Sequence, residues 1–151
     1  MTIQYKIGDL LDAEEDIICH QVNCLGYMGA GLALQLRNKY PAMFEEYKKF
    51  IEIPSYGGLF PSPTKNQNVA MLMGRVHFYL APDKKIIASL FAQKGIGNGV
   101  QTDYDSLYES LCRVSEYAIT TKKTIAIPYK LGCGLAGGDW EVVEKIIQRA
   151  T

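Results

Sequence analysis

The sequence has neither an excess of charge nor a long apolar segment. Its 151 residues carry 16 basic and 16 acidic side chains, so the formal net charge is zero. This balance argues against sequence-specific binding of duplex nucleic acid, because such affinity usually rests on a positive surface. It leaves room for a local anion site made of backbone N–H groups, which needs no basic side chain. No apolar run approaches the roughly 20 residues that cross a bilayer. The N-terminal residues lack a signal-peptide pattern, so we expect no membrane partner.

Cysteine is scarce as well. Four cysteines in a chain of this length do not form a disulfide scaffold, so we expect reduced thiols and a cytoplasmic protein. The spacing of Cys19, His20 and Cys24 matches no standard zinc site, and no metal is expected. The 48% hydrophobic and 21% charged residues that are present indicate a globular protein. We expect one domain over residues 1–151.

Apolar periodicity predicts strands and helices that alternate along the chain. The predicted strands cover residues 3–7, 17–22, 69–73, 75–80, 86–91 and 124–128, with loops at 54–68 and 95–101. Helices are predicted after a glycine-rich turn at 26–31, from Pro41, over 102–120 and from Trp140. Thr102 and Asp105 are expected to cap the third of these helices, and Asp139 the last. The alternation indicates an α/β fold with a mixed, mostly parallel sheet.

Two glycine-rich loops, at residues 26–31 and 132–138, each follow a strand and open a helix. Such loops gather at the carboxyl ends of the strands, where open α/β sheets bind ligands. Glycine lets backbone N–H groups approach phosphate oxygens, so the two loops together suit a diphosphate. Tight turns and close helix packing are the alternative interpretation. No Gly-Lys-Ser/Thr triplet follows either loop, and the first predicted strand ends in Gly8-Asp9-Leu10, which excludes the Walker and Rossmann patterns.

Three motifs, in order, resemble the macrodomain family. They are Gly8-Asp9-Leu10, then Val22-Asn23-Cys24 leading into residues 28–33, then residues 131–140. The resemblance runs over nearly the whole chain and points to the branch of terminal ADP-ribose protein glycohydrolases, antitoxin macrodomains that remove ADP-ribose from DNA, and ADP-ribose-1''-phosphate phosphatases. It implies a three-layer α/β/α fold with an ADP-ribose cleft at the carboxyl ends of the strands.

The resemblance also implies positions for the ligand. Asp9, with Leu10 beside it, falls on the acid that reads adenine, and a turn or capping role is the alternative. Asn23 falls near the distal ribose. The remaining ligand-binding positions are Met28, Gly29, Ala30 and Gly31 along the ribose and phosphates, and Gly132, Cys133, Gly134, Leu135, Ala136 and Gly137 around the diphosphate.

Catalysis follows from the same resemblance. Lys94 matches a lysine that attacks the distal ribose, which implies a hydrolase that removes ADP-ribose from modified side chains or nucleic acid through a lysyl–ADP-ribose intermediate. A solvated loop lysine is the alternative. The family's assisting acid falls on Ala136 and is missing, as in antitoxin-type members, which leaves open a reader that binds without turnover. His20 suggests a phosphatase, with a buried structural histidine as the alternative. No cofactor is implied beyond ADP-ribose as ligand or product.

The last helix is followed by little further sequence. Macrodomains of this type usually end with another strand, whereas this sequence stops at Ala150-Thr151. Either the chain is cut short there or the family's last strand has been lost. A strand missing from within a sheet would leave unpaired edges.

Overall fold

Strands and helices alternate along the chain, as the apolar pattern predicts. We describe residues 2–52 and 65–151 from a computed structural model. The strands are β1 (Ile17–Asn23), β2 (Val76–Leu80), β3 (Ile86–Gln93) and β4 (Ile125–Ala126). The helices are α1 (Gly31–Lys39), α2 (Pro41–Glu52), α3 (Lys65–Leu72), α4 (Tyr104–Thr121) and α5 (Trp140–Ala150). A short 3-10 helix, Leu10–Asp12, precedes β1.

The sheet is mixed and mostly parallel, which confirms the predicted class. Its strand order is β2-β3-β1-β4. β1 pairs in parallel with β3 and with β4, while β2 runs antiparallel to β3. Because β1, β3 and β4 point the same way, their carboxyl ends meet at one edge of the sheet. The segments that follow these three strands are therefore neighbours.

The two faces of the sheet are buried under different helices. Along β1, Ile17 and Cys19 belong to a core cluster formed with α4 and α5. Ile18 and Val22 belong to a second cluster, formed with α1, α2 and α3. Successive side chains of a strand point to opposite faces, so this alternation produces three layers. The expected α/β/α arrangement is confirmed.

Side-chain caps begin the two helices that follow the site loops. Asp139 accepts a hydrogen bond from the Glu141 N–H at 2.9 Å, which confirms the cap predicted for α5. At α4 the prediction is wrong, because Asp103 is the cap and accepts from the Ser106 N–H at 3.1 Å. Thr102 instead directs its hydroxyl away from the helix, to the Gly132 carbonyl.

Two strand predictions are also wrong. Residues 69–73 were expected to form a strand, but α3 runs to Leu72, because Val69, Leu72 and Met73 have helical spacing and pack against the second core cluster. Residues 3–7 form no strand, since no described strand pairs with them and Ile7 is fully exposed. The loop predicted at 54–68 is α3 from residue 65 onward, and its earlier part lies outside the described residues.

None of the helices in the described ranges is both long enough and apolar enough to cross a membrane.

Candidate functional site

Three segments meet at the carboxyl-end edge of the sheet. They are residues 24–30 after β1, residues 94–101 after β3, and residues 127–138 after β4, and we call them together the loop edge. The Cys24 N–H donates to the Lys94 carbonyl at 3.1 Å, which joins the first segment to the second. The Gln101 N–H donates to the Ala136 carbonyl at 2.7 Å, which joins the second to the third. The structure thus brings Lys94 and both glycine loops together.

The first glycine loop is built around two buried side chains, Asn23 and Tyr47. The Asn23 amide oxygen accepts from the N–H groups of Leu25 and Tyr27, at 3.0 and 3.3 Å. Its amide nitrogen donates to the Tyr27 carbonyl at 2.8 Å. The Tyr47 hydroxyl donates to the Asn23 carbonyl at 2.6 Å and accepts from the Gly26 N–H at 3.2 Å. Asn23 is only 6% exposed, so it shapes the loop from beneath.

The loop then leads into a helix whose first N–H groups are uncapped. Ala30 is the N-cap of α1 and provides no side-chain hydrogen bond. Gly31 has a φ of +57°, a left-handed conformation that suits glycine. Among the described residues, no acceptor bonds to the N–H groups of Gly29, Ala30 and Gly31. Met28 is 1% exposed and packs in the core, so only its backbone can face a ligand.

The second glycine loop uses some of its N–H groups internally and leaves others unpaired. The Cys133 N–H donates to Lys130, the Gly137 N–H to Gly134, and the Gly138 N–H to Gly132, in each case to the carbonyl oxygen. Within the ranges that the structure covers, the N–H groups of residue 132 and residues 134–136 have no protein acceptor. These four are the donors that remain for an anion.

Glycine is required at some positions of the second loop and not at others. Gly132 has a φ of +71°, and a Cβ there would lie 2.7 Å from the Gln21 side-chain oxygen. A Cβ on Gly137 would lie 3.0 Å from the Gly99 carbonyl oxygen. Gly134 has open space around it and is exposed. The loop is therefore packed closely at its base and open to solvent at its tip.

Lys94 lies beside the first glycine loop, on a segment that also contacts the second loop. It directly follows β3 and its side chain is exposed, while its carbonyl is held by the Cys24 N–H. Burial raises the pKa of the Cys24 thiol to about 11, and the nearby Lys94 charge opposes that shift. Ala136, at the position of the expected assisting acid, is 8% exposed and offers no acid. Asp139, three residues later, is the N-cap of α5.

Asp9 and Leu10 lie at the 3-10 helix before β1. Asp9 caps this helix by accepting from the Leu11 N–H at 3.0 Å, so the alternative capping role is observed. Leu10 packs against the second core cluster, and the Lys39 ammonium donates to the Leu11 carbonyl at 2.9 Å. This contact fixes the 3-10 helix beside the end of α1. Asp9 itself is exposed.

Two other candidates are structural. His20 is 1% exposed on the sheet face under α2, its Nε2 lies 2.7 Å from the Ser89 hydroxyl, and burial lowers its pKa to about 3. It is therefore the buried structural histidine given above as the alternative.

The Cys133 thiol donates to the Leu131 carbonyl at 3.3 Å, and burial raises its pKa, so it is not an activated nucleophile. Over the described ranges, no three His, Cys, Asp or Glu side chains are grouped to hold a metal.

Sequence reasoning missed the side chains that support the loops. Tyr47 is one of these side chains, and its hydroxyl fits the rule that a buried tyrosine usually needs a hydrogen-bond partner. Gln21, Gln93 and Thr102 form a further polar group beneath the second glycine loop. The available signal was a glutamine on the same face of β1 as Ile17 and Cys19, since polar residues on buried faces are uncommon.

Comparison with known proteins gives relatives for the whole arrangement. No protein-family model matches the chain. A DNA ADP-ribosyl glycohydrolase of Mycobacterium tuberculosis (strain ATCC 25618 / H37Rv) is 33% identical over 145 residues, which is 95% of this chain. The chain spans 37% of the length of that relative.

Solved structures share the fold. The macrodomain of Mycobacterium tuberculosis DarG is 26% identical with a TM-score of 0.76, and the match covers 99% of this chain and 89% of that one. Thermosipho africanus DarTG, solved in complex with ADP-ribose, is 19% identical with a TM-score of 0.72, covering 95% of this chain and 36% of that one. Together with the two glycine loops at the carboxyl ends of β1 and β4, these matches show that the chain belongs to the macrodomain family.

Proposed function

We propose that this protein binds ADP-ribose at the loop edge and removes it hydrolytically from a modified macromolecule. The observation that carries the proposal is two sets of unpartnered N–H groups, at residues 29–31 and at residues 132 and 134–136, with Lys94 on a segment that contacts both loops. Backbone N–H groups at a helix start and in a glycine loop bind phosphate oxygens well. The two sets of N–H groups suit the two phosphates of ADP-ribose. The Lys94 amine, on the neighbouring segment, is then available to the distal ribose.

Lys94 is the nucleophile in this mechanism. Its neutral amine attacks the anomeric carbon of the distal ribose, and the bond from that carbon to the modified group breaks. The departing group leaves with the bonding electron pair and takes the proton released by the new amine linkage. Water then cleaves the carbon–nitrogen bond of the lysyl–ADP-ribose adduct, which frees ADP-ribose and restores the lysine. With alanine at position 136, no side-chain acid of the loop assists departure.

ADP-ribosylated DNA is the substrate that we propose first. Relatives 33% identical to this chain are DNA ADP-ribosyl glycohydrolases. The net charge of zero gives no broad positive surface for a nucleic-acid backbone, so recognition rests on the ADP-ribose group itself. A modified acidic protein side chain is the second substrate to assay.

The first experiment is a calorimetric titration with ADP-ribose, with AMP and NAD as controls. We expect micromolar or tighter binding of ADP-ribose and clearly weaker binding of both controls, because neither offers the same diphosphate and free distal ribose. A folded sample that binds none of the three would contradict the proposed pocket.

The second experiment separates turnover from binding. Lys94→Ala should abolish release of ADP-ribose from a modified oligonucleotide while leaving the affinity for ADP-ribose similar. Borohydride reduction during wild-type turnover should add the mass of ADP-ribose at Lys94. Lys122→Asn removes an exposed lysine at the end of α4, outside the loop edge, and should keep its turnover. Undiminished hydrolysis by Lys94→Ala would exclude the lysyl intermediate, and tight binding without any wild-type turnover would identify a reader.

A further inference from the structure

A set of polar side chains connects the Lys94 segment to the base of the second glycine loop. The Gln93 amide donates to the Gly95 carbonyl at 2.8 Å, next to Lys94. The Gln21 amide donates to the Gln93 side-chain oxygen and to the Thr102 hydroxyl, both at 2.9 Å. The Thr102 hydroxyl donates to the Gly132 carbonyl at 2.7 Å. The bonds form one continuous path between the two segments.

The middle of this path is closely packed. A Cβ on Gly132 would lie 2.7 Å from the Gln21 side-chain oxygen and 3.0 Å from the Thr102 hydroxyl oxygen, so both side chains lie against the glycine backbone. The Gln21 oxygen is buried and, within the part of the chain that the structure describes, has no hydrogen-bond partner. An unpaired buried oxygen lowers stability. The Gln21 side chain is held by the two bonds that its amide nitrogen donates and by its contact with Gly132.

Backbone hydrogen bonds also hold residues 101–103 against the end of β3 and the second glycine loop. The Asp103 N–H donates to the Ala92 carbonyl at 2.7 Å, at the end of β3. The Gln101 and Thr102 N–H groups both reach the Ala136 carbonyl, at 2.7 and 3.3 Å. Residues 101–103 thus contact the end of β3 and the second loop at once, and Thr102 is where the side-chain path meets them.

We propose that Gln93, Gln21 and Thr102 are positioning residues that fix the Lys94 segment relative to the second glycine loop. The inference rests on the proposed function, in which the loop holds the diphosphate while Lys94 reaches the distal ribose. A displacement of about 1 Å between a reacting group and its substrate can reduce the rate by about a hundredfold. A hydrogen-bonded path of fixed length between the two segments prevents such a displacement.

The test cuts the path at each end. Thr102→Val removes the hydroxyl with little change of shape, and Thr102→Ser keeps it. Gln93→Met removes the amide that holds Gly95. We expect Thr102→Val to weaken ADP-ribose binding and to reduce kcat/KM by about tenfold, as for the loss of one hydrogen bond to a loop that binds charge. Thr102→Ser should restore wild-type values, and Gln93→Met should reduce kcat while the affinity for ADP-ribose stays the same.

The double variant reports whether the path is continuous. If Gln21 couples the two ends, the loss of kcat/KM in Thr102→Val with Gln93→Met will be smaller than the product of the two single losses. Ser110→Ala is the matched control, because it removes another buried hydroxyl near the start of α4 that donates only to the Leu107 carbonyl. It should change the free energy of unfolding without changing kcat or the affinity for ADP-ribose.

The outcomes distinguish this inference from the function on which it rests. A wild-type protein that neither binds nor releases ADP-ribose removes the proposed function, and the positioning role with it. In an active enzyme, multiplicative losses in the double variant overturn the inference alone. The same follows if Thr102→Ser is as impaired as Thr102→Val, because the hydroxyl would then have no special role.

Discussion

At the scale of single residues, the loop edge depends on side chains that serve the backbone. Asn23 illustrates this, because its amide oxygen and nitrogen bond to backbone groups of residues 25 and 27. The resemblance to macrodomains predicts that Asn23 lies near the distal ribose. In this structure its side chain holds the first loop, whose N–H groups at residues 29–31 have no acceptor among the described residues. We therefore expect Asn23 to act on a bound ligand through the loop.

Asp9 gives the sharpest test of the adenine end. Asp9→Ala should weaken binding of both ADP-ribose and AMP by about 1.5–3 kcal/mol, because a charged hydrogen bond to the adenine amino group is lost. Calorimetry on both ligands measures the change. Asp12→Ala removes another exposed carboxylate of the same 3-10 helix and should leave both affinities as they are. Equal affinities for wild type and Asp9→Ala would place adenine elsewhere.

At this scale, the sequence predicts contacts between residues that are close in the chain and misses contacts between distant ones. The capping role of Asp139 was predictable because its partner, Glu141, is two residues away. Thr102 was misread as a cap because its partner, Gly132, is thirty residues away. Tyr47 and Gln21 were overlooked for the same reason. Local patterns identify local partners, whereas the supports of the loop edge come from different strands and helices.

At the scale of elements, mutation can test which residue caps α4. Asp103→Ala should lower the free energy of unfolding by about 1 kcal/mol, because the Ser106 N–H loses its cap. Urea unfolding measures this. Asp105→Ala changes an exposed residue of the first turn that is not the cap, and it should cost less. If Asp105→Ala lowers the free energy of unfolding more than Asp103→Ala does, Asp105 is the cap, as the sequence predicts.

The second glycine loop can be tested at its open tip. Gly134→Glu should abolish ADP-ribose binding, because it adds a negative charge beside the N–H groups of residues 134–136 that we assign to the diphosphate. The fold should survive, since a Cβ at this position meets nothing within 4 Å. Calorimetry gives the affinity, and circular dichroism checks the fold. Gly134→Ala is the uncharged control and should bind nearly as wild type does. Wild-type affinity in Gly134→Glu would exclude the two-loop site.

Two segments were wrongly predicted to be strands because strand formation depends on partners elsewhere in the chain. Residues 3–7 alternate as a strand does, but a strand also needs a partner with free backbone groups, which no pattern in the segment reveals. Residues 69–73 carry apolar side chains that satisfy both a strand and a helix, and packing against the second core cluster selects α3. Elements with long, clear periodicity, such as α2 and α4, were predictable from the sequence alone.

At the scale of the whole molecule, the fold class was predictable and the strand order was not. Alternating strands and helices already require helices on both faces of a largely parallel sheet. The order β2-β3-β1-β4 depends on contacts between segments far apart in the chain. That order places the Lys94 segment and both glycine loops at the same edge. The site is thus a consequence of topology, assembled from motifs that were individually visible in the sequence.

The stability of the molecule should depend on pH through histidines buried on one sheet face. Burial lowers the pKa of His20 from 6.5 to about 3, and it also lowers that of His77. Below the unfolded-state pKa the unfolded chain binds protons that the folded protein excludes, so stability falls as pH decreases from 6.5 toward 3. Each such histidine contributes a slope of up to about 1.4 kcal/mol per pH unit.

Urea unfolding between about pH 7 and pH 5 isolates this effect, because the carboxylates titrate mainly below that range. Asp16 is among them, since hydrogen bonds from Thr124 hold its pKa below the usual value. His20→Gln keeps a hydrogen-bonding group beside Ser89 but cannot gain a proton, so its stability should depend less steeply on pH than that of wild type. Because His20 is buried in the middle of β1 and outside the loop edge, this change should leave the affinity for ADP-ribose at about pH 7 unaltered. An unchanged slope in His20→Gln would mean that the folded protein accepts the proton at His20 as readily as the unfolded chain does, and would contradict this prediction.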